Sequence, residues 1–287
     1  MVDNKIWYEK LHMGCGQYFA VKNVIYQENT NLQNVIFFEN PTFGRIMAID
    51  GIVQTTENDE FIYHEMITHV PLLTMPSAKK ILIIGGGDGA SLREVIKYKY
   101  LEKITMVEID ENIINLCKKY LPNHNQNAYA DIRCEIIIQD GSKFISSCKE
   151  KFDIIIVDST DPIGPGSNLF TPNFYRECRR CLNDDGIFVG QNGVSLLQQK
   201  VIKNSFNNLS FYFNDVTFYQ AAVPSYYGGM MTFVWASNNT SLRQITVSVL
   251  NKNFKLNNLH CRYYNPLIHK ISFALPQYLL NILTNTK

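Results

Sequence analysis

Five short, almost wholly apolar runs dominate the middle of the chain: KKILIIGGG, ITMVEID, EIIIQDG, FDIIIVDS and GIFVGQN. A strand that alternates polar and apolar residues covers one face of a sheet, whereas a strand apolar at nearly every position is buried on both. Helices packed on both faces of a parallel sheet meet that demand. The intervening stretches ASLREVIKYKY, ENIINLCKKYL and TPNFYRECRRCL carry the amphipathic spacing to supply them. The predicted fold is therefore α/β, a Rossmann-like and mostly parallel sheet with helices on both faces.

A different pattern precedes it. QYFAVKNVIYQ, LQNVIFFEN and GRIMAIDGIVQTT are rich in aromatic and β-branched residues. Asp50-Gly51 lies between two apolar segments, and this dipeptide favours a two-residue hairpin because both turn positions need positive φ. The reading divides the chain into a small antiparallel β-domain, 1–61, and a larger Rossmann-like domain, 62–287. FIYHEMITHVPLL is predicted helical up to Pro76, and MMTFVWAS is predicted to add antiparallel strands at one sheet edge.

Composition narrows the function classes. The chain has 287 residues, 46% hydrophobic and 18% charged, with a net charge of +1 and no basic block, so no nucleic-acid partner is expected. The longest apolar runs are strand-sized, and MVDNKIWYEK lacks a signal-peptide core, so no membrane partner and a cytoplasmic location are expected. Seven scattered cysteines read as reduced thiols. Cys178 and Cys181 have no second pair to complete a zinc site, and His64 and His69 miss the HExxH spacing, so no metal is expected.

Ligands of open α/β sheets bind at the carboxyl ends of the strands. Here those ends carry Asp88 after the first apolar run, Glu108 after the second, Asp140-Gly141 after the third, Asp158 after the fourth and Gln191-Asn192 after the fifth. Each acid alone could be a helix cap or a turn residue. Carboxylates at four equivalent positions point instead to a ligand rich in hydroxyls or positive charge. GGGDGA fits the dinucleotide fingerprint, with Glu108 about twenty residues on where a ribose-binding acid belongs. A dehydrogenase would share that much. Asp88 argues against it, since a carboxylate about 4 Å from a pyrophosphate charge costs about 4 kcal/mol at an effective dielectric of 20. A nucleoside that carries a positive charge and no phosphate fits better, which leads to the adenosyl sulfonium cofactors and keeps a methyltransferase in view. In DSTDPIGPGSNLF, Asp158 and Asp161 bracket a turn suited to an ammonium, and the proline and glycine residues after them make a candidate lid.

GGGDGA, VEID, QDG and DSTDPIGPG, with TTENDEFIYHEM upstream and YYGGMMTFVWAS downstream, closely resemble the spermidine synthase family, above all its bacterial members. The resemblance spans essentially the whole chain. It implies an aminopropyltransferase that uses decarboxylated S-adenosylmethionine as co-substrate, with no prosthetic group, and putrescine as acceptor. It also implies a homodimer or homotetramer. By motif, it makes Asp158 the proton acceptor. Gln33, Gly85, Gly87, Glu108, Asp140, Gly141 and Pro165 fall around the methylthioadenosine part. Gln54, Tyr63, His64, Asp88, Asp161, Gln191 and Tyr226 fall in the amine groove, His64 standing where other members carry glutamine. Asp88 is then expected to attract the ammonium of the decarboxylated cofactor and to repel the carboxylate of the intact one.

Overall fold

A computed structural model describes residues 5–29 and 32–284. The antiparallel part consists of a hairpin, β1 (Lys5–His12) and β2 (Cys15–Val21), and a meander, β3 (Asn23–Asn29), β4 (Asn34–Asn40), β5 (Gly44–Ile49) and β6 (Ile52–Thr56). QYFAVKNVIYQ is two strands rather than one: β2 pairs with β1 and β3 with β4, and the chain changes sheet at Lys22, whose N–H donates to Glu39 O at 2.9 Å. β1 has no counterpart among the predicted strands. Asp50 and Gly51 close the β5–β6 hairpin with φ of +51° and +79°, as that turn requires. Phe19, Val21, Phe38, Ile46 and Val53 join the hairpin to the meander in one apolar cluster.

Next follow α1 (Glu60–Thr74), β7 (Lys80–Gly85), α2 (Ala90–Val95), β8 (Lys103–Glu108), α3 (Glu111–Tyr120), β9 (Cys134–Ile138), β10 (Phe152–Asp158), β11 (Leu182–Val194), β12 (Asp215–Ala222) and β13 (Met230–Ser237). The strands form one sheet of order β12-β13-β11-β10-β7-β8-β9. From β9 to β11 neighbours are parallel; β13, which is MMTFVWAS, pairs antiparallel with both β11 and β12. Successive residues of the apolar runs face opposite sides. Ile81, Ile83, Ile154 and Ile156 enter one buried cluster, and Leu82, Ile84, Ile155 and Val157 the other. α1 covers the first face, and helices 141–147, 172–181 and 199–210 cover the second. Cys178 and Cys181 are buried there as core thiols. Val35, Phe37, Met47 and Ile49 pack against Ile113, Leu116 and Cys117 of α3, which seats the meander beside the sheet.

ASLREVIKYKY is helical only through Val95. Arg133 explains the early stop, because its guanidinium donates to Ile96 O at 2.8 Å and Tyr98 O at 2.7 Å and satisfies carbonyls that a longer helix would have used. No helix among the described residues is long and apolar enough to cross a membrane.

Candidate active site

Strand order reverses between β7 and β10, and in doubly wound sheets that reversal opens a crevice at the strands' carboxyl ends. A cavity of about 240 Å³ lies there, and every residue that the family resemblance assigns to the site lines it, whereas Asn192 is turned away and donates to Ser205 Oγ at 2.9 Å. The meander contributes Gln33 and Gln54 to the same cavity.

The glycine turn after β7 is fixed by close approach. A Cβ on Gly85 (φ +85°) would lie 2.0 Å from Asp158 O, and one on Gly87 would lie 2.8 Å from Glu108 Oε2. Only glycine allows this turn to pass so near both carboxylate residues. Gly86 N–H donates to Asp158 O at 2.7 Å, tying the turn to the end of β10 by main chain. Asp88 Oδ1 accepts from Ala90 N–H at 2.9 Å at the mouth of α2, and its other oxygen faces His64 Nε2 at 3.4 Å.

Asp158 occupies the centre. Tyr63 hydroxyl donates to its Oδ1 at 2.9 Å and Ser91 hydroxyl to its Oδ2 at 2.6 Å. Burial raises its carboxyl above the ordinary value, and the neighbouring Asp88 charge adds to this, while His64 and the two hydroxyl donors pull it down. A carboxylate raised in this way takes up a proton more readily than an exposed one. Among the described residues, one set of side chains could hold a metal ion: ligand atoms of His64, Asp88 and Asp158 lie within 4.8 Å of one another. The same concentration of charge suits an ammonium.

On the β8 side, buried Glu108 accepts from Asp110 N–H at 3.0 Å, and burial pushes its carboxyl up to about 7. Gln33 Nε2 donates to Asp110 Oδ2 at 2.8 Å. Asp140 Oδ1 caps helix 141–147 through Ser142 N–H at 2.8 Å, and a Cβ on Gly141 would meet Ile84 Cγ2 at 2.3 Å. Pro165 sits in the segment Gly164–Phe170, a 3₁₀ turn that leads to Thr171, the cap of the next helix. On the other side the rings of Tyr63 and Tyr226 meet edge to face at 6.1 Å, with the Tyr226 hydroxyl donating to Gln54 O at 2.7 Å. Asp161 accepts from Gln198 Nε2 at 3.1 Å, and Gln191 Nε2 donates to Thr160 O at 2.9 Å, so the Gln191 amide braces the loop root.

The sequence pattern of the spermine/spermidine synthase domain matches residues 60–246, and that of the spermidine synthase tetramerisation domain matches residues 6–57. The chain belongs to the spermine/spermidine synthase family. It is 60% identical over 285 residues to the polyamine aminopropyltransferase of Erwinia tasmaniensis, covering 99% of this chain and 100% of that one. It is 60% identical over 283 residues to that of Serratia proteamaculans, covering 99% of each. Among solved structures, a spermidine synthase in complex with the transition state analogue AdoDATO aligns with a TM-score of 0.91 at 34% identity, over 99% of this chain and 97% of that one. The Thermotoga maritima spermidine synthase aligns at 0.88 and 33%, over 99% and 96%.

Family membership makes the chain an aminopropyltransferase, and the structure adds residues that sequence reasoning missed. Glu9, on β1 within the tetramerisation domain, lines the cavity, buried and accepting from Val53 N–H at 2.8 Å. Nothing local in KIWYEKLH marks it, since only the packing of the hairpin on the sheet brings it there. Ser91 and Glu60 were visible in principle. Ser91 follows the glycine turn directly, and Glu60 stands one helical turn before His64 on α1.

Proposed function

We propose that this enzyme transfers the aminopropyl group of decarboxylated S-adenosylmethionine to putrescine, giving spermidine and 5′-methylthioadenosine, with Asp158 as general base. The observation that carries the reading is the place of Asp158, between a Glu108-lined pocket without phosphate-binding charge and a groove walled by Tyr63 and Tyr226. The AdoDATO complex of a solved relative supports the same assignment of the cofactor.

In this reading the adenosine lies between Glu108, which accepts from the ribose hydroxyls, and the turn at Asp140 and Pro165. Gln33, through Asp110, braces that side. The aminopropyl ammonium points to Asp88. Putrescine lies along the tyrosines, its distal ammonium held by Asp161 and Glu9 at the far end. Both are carboxylates whose protons burial holds more tightly, so a bound ammonium draws them into the charged form. An alkyl amine titrates near the lysine value, about 10.4, so the attacking nitrogen must lose a proton near neutral pH. Asp158 takes it, the nitrogen lone pair forms the new C–N bond, and the C–S bond breaks with its electron pair passing to sulfur. A neutral thioether leaves, and in-line positioning supplies much of the rate. Segment 160–171 acts as a lid, and the chain works as a homodimer or homotetramer.

Chromatography of products from the purified protein, given each sulfonium cofactor with a panel of amines, tests this. Spermidine and methylthioadenosine from putrescine with the decarboxylated cofactor is the expected result. Methylated amine from the intact cofactor would establish a methyltransferase instead.

A further inference from the structure

His64 is a buried ring on α1 with a carboxylate against each nitrogen. Nδ1 lies 2.7 Å from Glu60 Oε2 and 2.8 Å from Glu60 O, and Nε2 lies 3.4 Å from Asp88 Oδ2. A neutral imidazole would turn one lone pair toward a carboxylate oxygen, so a carboxylate hydrogen-bonded at Nδ1 and another at ion-pair distance from Nε2 favour the doubly protonated ring. Glu60 is itself fixed. Arg93 Nη1 and Nη2 donate to its two oxygens at 2.9 and 3.0 Å, and Arg93 Nε donates to Glu94 Oε1 at 2.8 Å. His64 therefore cannot swing away from Asp88 without breaking a buried ion chain. The resting Asp88 is consequently a paired anion rather than the bare repulsive charge the sequence suggests.

We propose that His64 is a built-in stand-in for the ligand ammonium: its imidazolium pairs with Asp88 in the empty site and gives up its Nε2 proton to solvent when the aminopropyl ammonium of the decarboxylated cofactor arrives. Glu60 and Arg93 are its positioning residues. An ammonium arriving at Asp88 would stand against the Nε2–H of a charged ring, and repulsion between the two cations in a buried pocket favours loss of one proton. Loss of the Nε2 proton removes one positive charge and leaves a lone pair that accepts from the incoming ammonium. No bond other than N–H changes, and the proton goes to buffer. The other charged and titratable groups around the ring are Asp158 on β10, Tyr63 beside it on α1, Arg93 on α2 behind Glu60, and His124. Burial works against the proton on His64, but Asp88 and Glu60 outweigh it and hold the ring charged up to about 9. Protonation of His124, by contrast, is disfavoured by burial.

The inference rests on the proposed cofactor, and the test separates the two. Calorimetric titration near pH 8, where Glu108 is already ionised, is run in two buffers of different ionisation enthalpy. Methylthioadenosine, which lacks the ammonium, should bind and release almost no proton. The decarboxylated cofactor should bind and release close to one, and its affinity should fall about tenfold as the pH drops from 8 to 7, because each molecule bound must displace that proton. His64→Gln should abolish the release while keeping methylthioadenosine binding, which shows that the fold is intact. Glu60→Gln should lower the release. Failure of both ligands to bind would refute the cofactor assignment. Binding of both without proton release, or unchanged release in His64→Gln, would overturn the stand-in.

Discussion

Acid should weaken methylthioadenosine binding through one carboxyl group, Glu108. Burial holds this group at about 7 against an ordinary value of 4.5. If the ribose hydroxyls donate to it, the complex requires the ionised form. Each pH unit below 7 then adds about 1.4 kcal/mol to the cost of ionising it, so at pH 5.5 the penalty is about 2 kcal/mol, or roughly a thirtyfold rise in Kd relative to pH 8.5. The same shift bears on stability, and its sign is fixed. A carboxyl raised in the fold favours the folded state fully below about 4.5, and that contribution, on the order of 3 kcal/mol, is lost as the pH rises through about 7. The ligand should therefore raise the melting temperature more at pH 8 than at pH 5.5. Titration calorimetry of methylthioadenosine from pH 5.5 to 8.5 is the assay, with Glu108→Gln beside the parent. The variant should bind about 1–3 kcal/mol more weakly and lose the pH slope. A flat profile in the parent, or the same slope in the variant, would refute the reasoning.

Replacing Asp158 with Asn removes the proton acceptor but not its shape, so turnover should fall by roughly 10² to 10⁴ while methylthioadenosine affinity changes little; near-normal turnover at neutral pH would remove Asp158 from its role. Hydrogen exchange across Ile163 to Leu169 should slow when methylthioadenosine and putrescine are both bound, whereas unchanged protection would leave that segment an ordinary connection. Gly85→Ala should destabilise the protein by at least about 2 kcal/mol in denaturant melts, since its Cβ would lie 2.0 Å from Asp158 O at a φ of +85°, and a near-neutral effect would show that the turn yields freely.

The central sheet was legible because its strands are buried on both faces and so carry almost no polar residues, Ile81 to Ile84 being the clearest case. The rim was legible for a related reason. Where an apolar run stops, its next residue is at the crevice, and Glu108 and Asp158 are those residues. What the sequence concealed depends on distant partners. The stop at Val95 is set by Arg133, the break at Lys22 by Glu39, and the place of Glu9 in the cavity by how a hairpin packs. Asp88 was legible as an odd charge in a glycine turn, and it lines the cavity. Its pairing with His64 was not, because nothing in HEMITH indicates which way that ring faces.

The hydrogen bond from Gly86 N–H to Asp158 O joins the proposed base to the glycine turn through main chain alone, whereas the far wall of the groove is made of side chains from β1, α1 and the segment before β13. These two parts answer to different rules of inheritance. If the amine lies along that wall as proposed, a substitution at Glu9 or Tyr226 would alter the length and charge that the groove accepts and leave the main-chain bond under Asp158 in place. A lineage could thus move from one amine to another by small steps at that wall while the bond-making apparatus stays as it is.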